Sequence, residues 1–143
     1  MSEPVTYSGW GRYYPGARDE LGRETLLTVS CRIENLPDEV FALLDTASSW
    51  CVLHRETIEA LGCEAIPGEP LVRLSTRLGS FSGWLDRYTL CFKADRGESL
   101  QIDATWFVCV DWPGPMVIGW KGGLERLRFG LDPATERFYF GWL

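Results

Sequence analysis

The segment Phe41-Ala42-Leu43-Leu44-Asp45-Thr46-Ala47-Ser48-Ser49-Trp50 sets a carboxylate at the end of an apolar run and follows it with four small residues. A carboxylate withdrawn from water is costly unless hydrogen bonds or a proton offset the loss of hydration. Small residues after Asp45 leave room for a substrate, and their backbone amides can point at the carboxylate. Asp45 is therefore the leading candidate for carboxylate chemistry on a bound molecule. The same spacing also suits an Asp that merely caps the loop or a following short helix, and the residues alone leave both readings open.

The other candidates lack such a setting. Cys51-Val52-Leu53-His54 invites a thiol or metal reading, but His54 is the one histidine in the chain, and a zinc site needs two or three further ligands at recognisable spacing. No metal or other cofactor is expected. Cys51 is expected in the core and His54 at a helix start. None of Asp86, Asp103 and Asp111 is followed by the small, hydroxylated loop that Asp45 has. Asp86-Arg87 reads as an exposed pair, and Asp103 as a solvent-facing member of an alternating strand. The seven tryptophans are scattered, as core and interface filler is, with some suited to a subunit contact.

The elements that must carry Asp45 are mostly strands. Leu26–Ile33 is rich in β-branched residues, Asn35-Leu36-Pro37-Asp38 is turn chemistry, and Val40–Leu44 runs into Asp45. Together they predict a hairpin that delivers the carboxylate. Glu56–Leu61 holds good helix formers and is stopped by Gly62. Leu71–Arg77 and Phe81–Phe92 flank a tip at Leu78-Gly79-Ser80, a second hairpin pattern. Asp95-Arg96-Gly97 reads as a turn and Leu100–Val110 as a strand, broken by Trp112-Pro113-Gly114-Pro115. Met116–Gly119 is a short apolar run, Gly123–Leu127 a helical turn, and Arg128–Leu131 with Arg137–Phe140 a last hairpin. Residues 1–23, with Gly9, Gly11, Gly16 and Gly22 among few aliphatics, read as an irregular N-terminal arm. Tyr7, Trp10, Tyr13 and Tyr14 are the residues suited to pin it. Residues 24–143 then form a single, mostly-β, barrel-like domain.

Composition narrows the classes further. One domain suits 143 residues, and a net charge of −6 opposes a nucleic-acid partner, whose phosphates call for a basic face. No apolar stretch approaches the roughly 20 residues that a membrane helix needs, and the first residues lack the pattern of a secretory signal. Five scattered cysteines read as reduced thiols of a cytoplasmic protein.

The sequence resembles the retropepsin-like aspartic proteases, in their bacterial-type branch, over about residues 24–143. Asp45-Thr46 after apolar residues matches the family's catalytic motif. Val117-Ile118-Gly119, followed by Trp120 through Leu127, matches its second marker, two aliphatics and a Gly before a short helix. Arg77-Leu78-Gly79-Ser80-Phe81 falls where the family has its flap. The resemblance implies an all-β acid-protease barrel with a flap hairpin and one or two short helices. It implies a homodimeric endopeptidase acting on peptides or proteins, with Asp45 of each subunit sharing one proton, and with no cofactor. Thr46 would brace the site across the two-fold axis. Ala47, Ser48 and Ser49 would complete the active-site loop, with Trp50, Ile118, Gly119 and Trp120 packed nearby.

Three positions depart from the family pattern. Ala47 replaces a Gly, which costs roughly 1–2 kcal/mol if the position requires positive φ. Trp120 and Ser49 replace an Arg and Asp that pair in retroviral members; both charges are absent together, and Trp120 is expected to pack near Trp50. The flap tip carries one Gly rather than a run. Two alternatives therefore stand beside the enzyme: a catalytically degenerate dimer of the same fold serving as a peptide-binding or assembly module, and an unrelated monomeric barrel with a capping Asp.

Overall fold

The computed structural model describes residues 6–15, 17–18, 24–25, 27–65, 67 and 71–143. In chain order the strands are β1 (Gly9–Tyr14), β2 (Ala17–Arg18), β3 (Glu24–Thr25), β4 (Thr28–Ile33), β5 (Val40–Leu44) and β6 (Cys51–Val52). After helix α1 (Arg55–Leu61) come β7 (Val72–Thr76), β8 (Gly79–Phe92), β9 (Arg96–Gly97), β10 (Leu100–Val108) and β11 (Met116–Ile118). A 3₁₀ turn at Leu124–Arg126 precedes β12 (Arg128–Asp132) and β13 (Arg137–Gly141). Strands β4, β5, β11, β6, β10 and β8 pair in that order, and β8 returns to β4 through Arg32↔Cys91 and Ile33↔Leu90, which closes a barrel. The chain is all-β with one α-helix among the described residues, as expected.

The uninterrupted apolar runs follow from burial on both faces. Side chains alternate along a strand, so Ala42, Cys51, Trp106, Met116 and Ile118 fill the barrel interior. Leu43, Val52, Phe107 and Val117 point the other way, into a second cluster with Leu74, Phe81 and Trp112. Over Ala42–Leu44 both sides of β5 are covered and no polar row remains, whereas Phe41 stays exposed. The long β8 divides likewise: Phe81 and Leu85 join the second cluster, whereas Trp84, Tyr88, Leu90 and Phe92 join the first.

Most expected elements are found. The β4–β5 hairpin pairs from Thr28↔Leu43 to Cys31↔Val40, and α1 ends at Gly62 in a left-handed conformation, φ 66°. His54 does stand at the N-terminus of α1 without capping it; its Nδ1 lies 2.8 Å from Thr57 Oγ1. The irregular arm requires correction over Gly9–Tyr14, which is a strand paired with β13, β4 and β9. Gly9 and Gly11, which read as loop residues in sequence, serve close approach instead. A Cβ on Gly9 would run into the Glu98 carbonyl and lie 3.0 Å from Ala94 Cβ. The predicted turn at Asp95–Gly97 likewise contains β9. Arg87 pairs with Asp103 at 3.1 Å rather than with Asp86, because neighbours along a strand face opposite sides. Residues 1–5, 16 and 19–23 of the expected arm lie outside the described residues. No helix among the described residues is long and apolar enough to cross a membrane.

Cys31, Cys51 and Cys109 are buried, and all five cysteines are free thiols. Burial pushes the Cys51 thiol from its ordinary 9.0 up to about 11, and burial raises Cys31 as well. Below pH 9.0 both folded and unfolded chains hold these protons, so stability is unaffected. Between pH 9.0 and about 11 the unfolded chain releases the Cys51 proton first, and stability falls with a slope of up to about 1.4 kcal/mol per pH unit for one such thiol. Urea denaturation at successive pH values is expected to show this alkaline loss, and Cys51→Ala should make the slope shallower.

Candidate active site

Asp45 leaves the end of β5 where the sheet clamps the chain from one side. β11 lies between β5 and β6, the two strands that flank the Asp45–Trp50 loop. It runs parallel to β5 from Met116↔Ala42 to Ile118↔Leu44. Beyond the strand register the same segment continues to hold the loop. Asp45 N–H donates to Ile118 O at 3.0 Å, Trp120 N–H to Ser48 O at 2.9 Å, and Lys121 N–H to Ser49 O at 2.9 Å. Within the loop, Ser48 N–H donates to Asp45 O at 3.1 Å, and Ser48 Oγ donates to Trp50 O at 2.8 Å.

Gly119 is what allows this approach. A Cβ there would collide with the Trp50 carbonyl oxygen and stand 2.8 Å from the Ser48 oxygen. No side chain fits between β11 and the loop, so the family-like Ile-Gly pair has a steric cause.

The Asp45 carboxylate is half-buried, and its Oδ1 accepts the Ala47 N–H at 3.0 Å. Among the described residues no basic side chain pairs with it. Asp45 follows Leu43 in the row that faces the second cluster, the side on which the β7–β8 hairpin stands. Thr46, Ala47 and Ser49 are exposed. Ala47 is not among the residues with positive φ, which besides glycines are Glu34 and Glu136 of the described chain. The strain foreseen for an alanine at this position is therefore absent; its methyl simply faces outward.

The turn starts one residue earlier than the sequence suggests, and the returning strand two residues earlier. Arg77 and Leu78 form the turn, and β8 starts at Gly79, with Thr76 paired to Gly79. Thr76 Oγ1 holds it, accepting the Leu78 N–H at 3.1 Å and donating to Gly79 O at 3.0 Å. Arg77, Leu78, Gly79 and Ser80 are exposed. Phe81 packs edge-on to Trp112, ring centroids 5.2 Å apart. The hairpin is thus rooted in the cluster that also receives Leu43, Trp50 and Val117.

Trp120 does not pack on Trp50. The parallel bridge sets Lys121 opposite Trp50, so Lys121 Nζ lies over the Trp50 ring, 5.6 Å from its centroid. Trp120, one residue away, turns towards Phe129 at 6.5 Å. Sequence reading missed Lys121, and it missed Glu125, whose Oε1 accepts the Gly122 N–H at 2.8 Å and steadies the turn behind the loop. The missing signal was the parallel register of β11 beside the loop.

This architecture has a counterpart among solved structures. It matches the crystal structure of a retropepsin-like aspartic protease from Rickettsia conorii with a TM-score of 0.55 and 16% sequence identity, covering 89% of this chain and 97% of that one. The fold is retropepsin-like. No protein-family model matches the sequence, and no curated protein does. In this retropepsin-like frame the Asp45 loop is tied to the segment around Gly119 through its backbone, and the flanking Leu43 and Trp50 share a cluster with the hairpin stem.

Gly119→Ala is expected to destabilise the chain by roughly 3 kcal/mol, because the methyl must displace backbone rather than a mobile side chain. Urea denaturation checks this. A loss below about 1 kcal/mol would mean that the loop is not held against β11 as described.

Proposed function

We propose that the chain is an aspartic endopeptidase that works as a homodimer, with one Asp45 from each subunit. The observation that carries the reading is the setting of Asp45: a half-buried carboxylate, accepting a backbone N–H, on a loop fixed by β11 in a retropepsin-like fold. Peptide or protein is the substrate. Two carboxylates about 3 Å apart cannot both ionise, so the pair holds one proton and titrates as a unit. The ionised member takes a proton from water as the oxygen attacks the scissile carbonyl, and the protonated member donates to the carbonyl oxygen. The amide nitrogen then receives a proton as its bond to carbon breaks. The exposed Thr46 braces the partner loop across the axis. The β7–β8 hairpin acts as the flap that covers the peptide and excludes water.

A degenerate binding dimer of the same fold is the second reading, and Ala47 is the observation that favours it. Its exposed methyl adds bulk beside the carboxylate, where a peptide backbone would pass. The absence of positive φ at Ala47 removes the strain argument and leaves only this bulk.

Asp45→Asn is expected to abolish cleavage of a peptide library across about pH 4–7 while the chain remains folded. Persistent cleavage would overturn the assignment. Ala47→Gly is expected to change kcat/KM by less than about tenfold, a barrier change below about 1.4 kcal/mol. Cleavage that appears only in Ala47→Gly would establish the natural chain as the binding module.

A further inference from the structure

We propose that the cavity at the fork between β1, β4 and β8 binds a free α-amino acid with an apolar side chain. Nothing in this site depends on the Asp45 dyad.

The cavity has a topological cause. β4 changes partner part-way along one edge: Thr28 and Val29 pair with Tyr14 and Tyr13 of β1, whereas Arg32 and Ile33 pair with Cys91 and Leu90 of β8. Ser30 and Cys31, between these pairs, have a strand partner on β5 alone, where they stand opposite Phe41 and Val40. β1 has by then turned away to pair with β13, from Gly9↔Phe140 to Arg12↔Arg137. The opening left between β1 and the end of β8 is a cavity of about 240 Å³. Pockets for drug-sized ligands run to about 300–1,000 Å³, so the occupant is smaller than these.

One part of the wall is apolar. Phe92, Phe138 and Phe140 are buried, and the Phe92 ring meets the other two at 5.2 and 5.7 Å. Tyr14 and Phe41 line the same cavity. They are 43% and 58% exposed and meet edge-on at 5.4 Å, so the cavity opens to solvent past aromatic rings.

The other part carries polar groups without partners. Arg12, Glu39, Lys93 and Asp95 line it. Arg12 faces Glu136 at 3.6 Å, and Asp95 Oδ2 accepts the Arg12 N–H at 3.2 Å. Among the described residues no ion pair includes Lys93 or Glu39, which leaves one charge of each sign. Burial, the neighbouring thiols and the Glu39 charge push the Cys31 thiol up, in keeping with a Glu39 carboxylate near the fork. Ser30 Oγ, also of this wall, is buried without a hydrogen-bond partner among the described residues, and a buried hydroxyl left unpaired is unfavourable. An apolar amino acid meets all of these needs. Its ammonium suits Glu39, its carboxylate suits Lys93, either can hydrogen-bond Ser30 Oγ, and its side chain lies against the phenyl rings. A purely apolar ligand would leave both charges and the hydroxyl unmet, and a simple anion or cation would leave one charge unmet.

Amide NMR titration of the full chain with L-phenylalanine tests the proposal. Phenylpropionate, which lacks the ammonium, and phenethylamine, which lacks the carboxylate, are the comparisons. L-Phenylalanine is expected to shift the Gly11, Ser30 and Lys93 signals saturably, and each comparison compound to bind at least about tenfold more weakly. Lys93→Ala is expected to bring phenylalanine down towards phenethylamine, and Glu39→Gln to bring it down towards phenylpropionate, because each removes the partner of the group that compound lacks. Both residues are exposed, and circular dichroism checks that the variants are folded. Shifts that do not saturate by about 10 mM, shifts confined to the Asp45 loop, or equal binding of the three compounds would overturn the site. So would phenylalanine binding that survives both variants unchanged.

Discussion

The close approach of β11 to the Asp45–Trp50 loop is the constraint on which the site depends. Three backbone hydrogen bonds, from Asp45 to Ile118 and from Trp120 and Lys121 to Ser48 and Ser49, fix the direction in which the loop leaves β5. They require a residue without a side chain at 119, where any Cβ would strike the Trp50 carbonyl. The strand is thus both wall and clamp. Packing enforces the arrangement, since Val117 and Ile118 face opposite clusters and a shift of one residue would exchange them.

The two clusters divide the work. The barrel interior supplies most of the apolar burial that stabilises the fold. The smaller cluster joins the loop strands to the stem of the β7–β8 hairpin through Leu43, Val117, Phe81 and Trp112. A hairpin anchored at its stem and exposed at its tip suits a cover that moves. Motion at Arg77–Ser80 disturbs little packing, whereas motion at Leu74 would open the cluster.

Much of this was legible in the sequence because local chemistry and global position agreed. Pro37-Asp38 marks the turn before β5, Gly62 ends α1, and Trp112–Pro115 separates β10 from β11. What escaped depended on contacts distant in sequence. Gly9 and Gly11 resemble loop residues until the backbone at 93–98 lies against them. Trp120 and Lys121 exchange expected roles because the parallel register with the loop is set across some seventy residues. Whether Ala47 is strained was decided by a backbone angle that residue type cannot report. Asp45 was singled out from its neighbours alone, since an apolar strand ending in a carboxylate and small residues is a local pattern.

The central claim, that one functional site takes an Asp45 from each of two chains, is tested most directly by mixing. Wild-type chain is combined with an equal amount of Asp45→Asn chain, subunits are allowed to exchange, and peptide cleavage is measured. If both carboxylates are needed, only pairs of wild-type chains act, about a quarter of all pairs, and activity per wild-type chain falls to about half. If each chain works alone, activity per wild-type chain is unchanged, and that result would contradict the account.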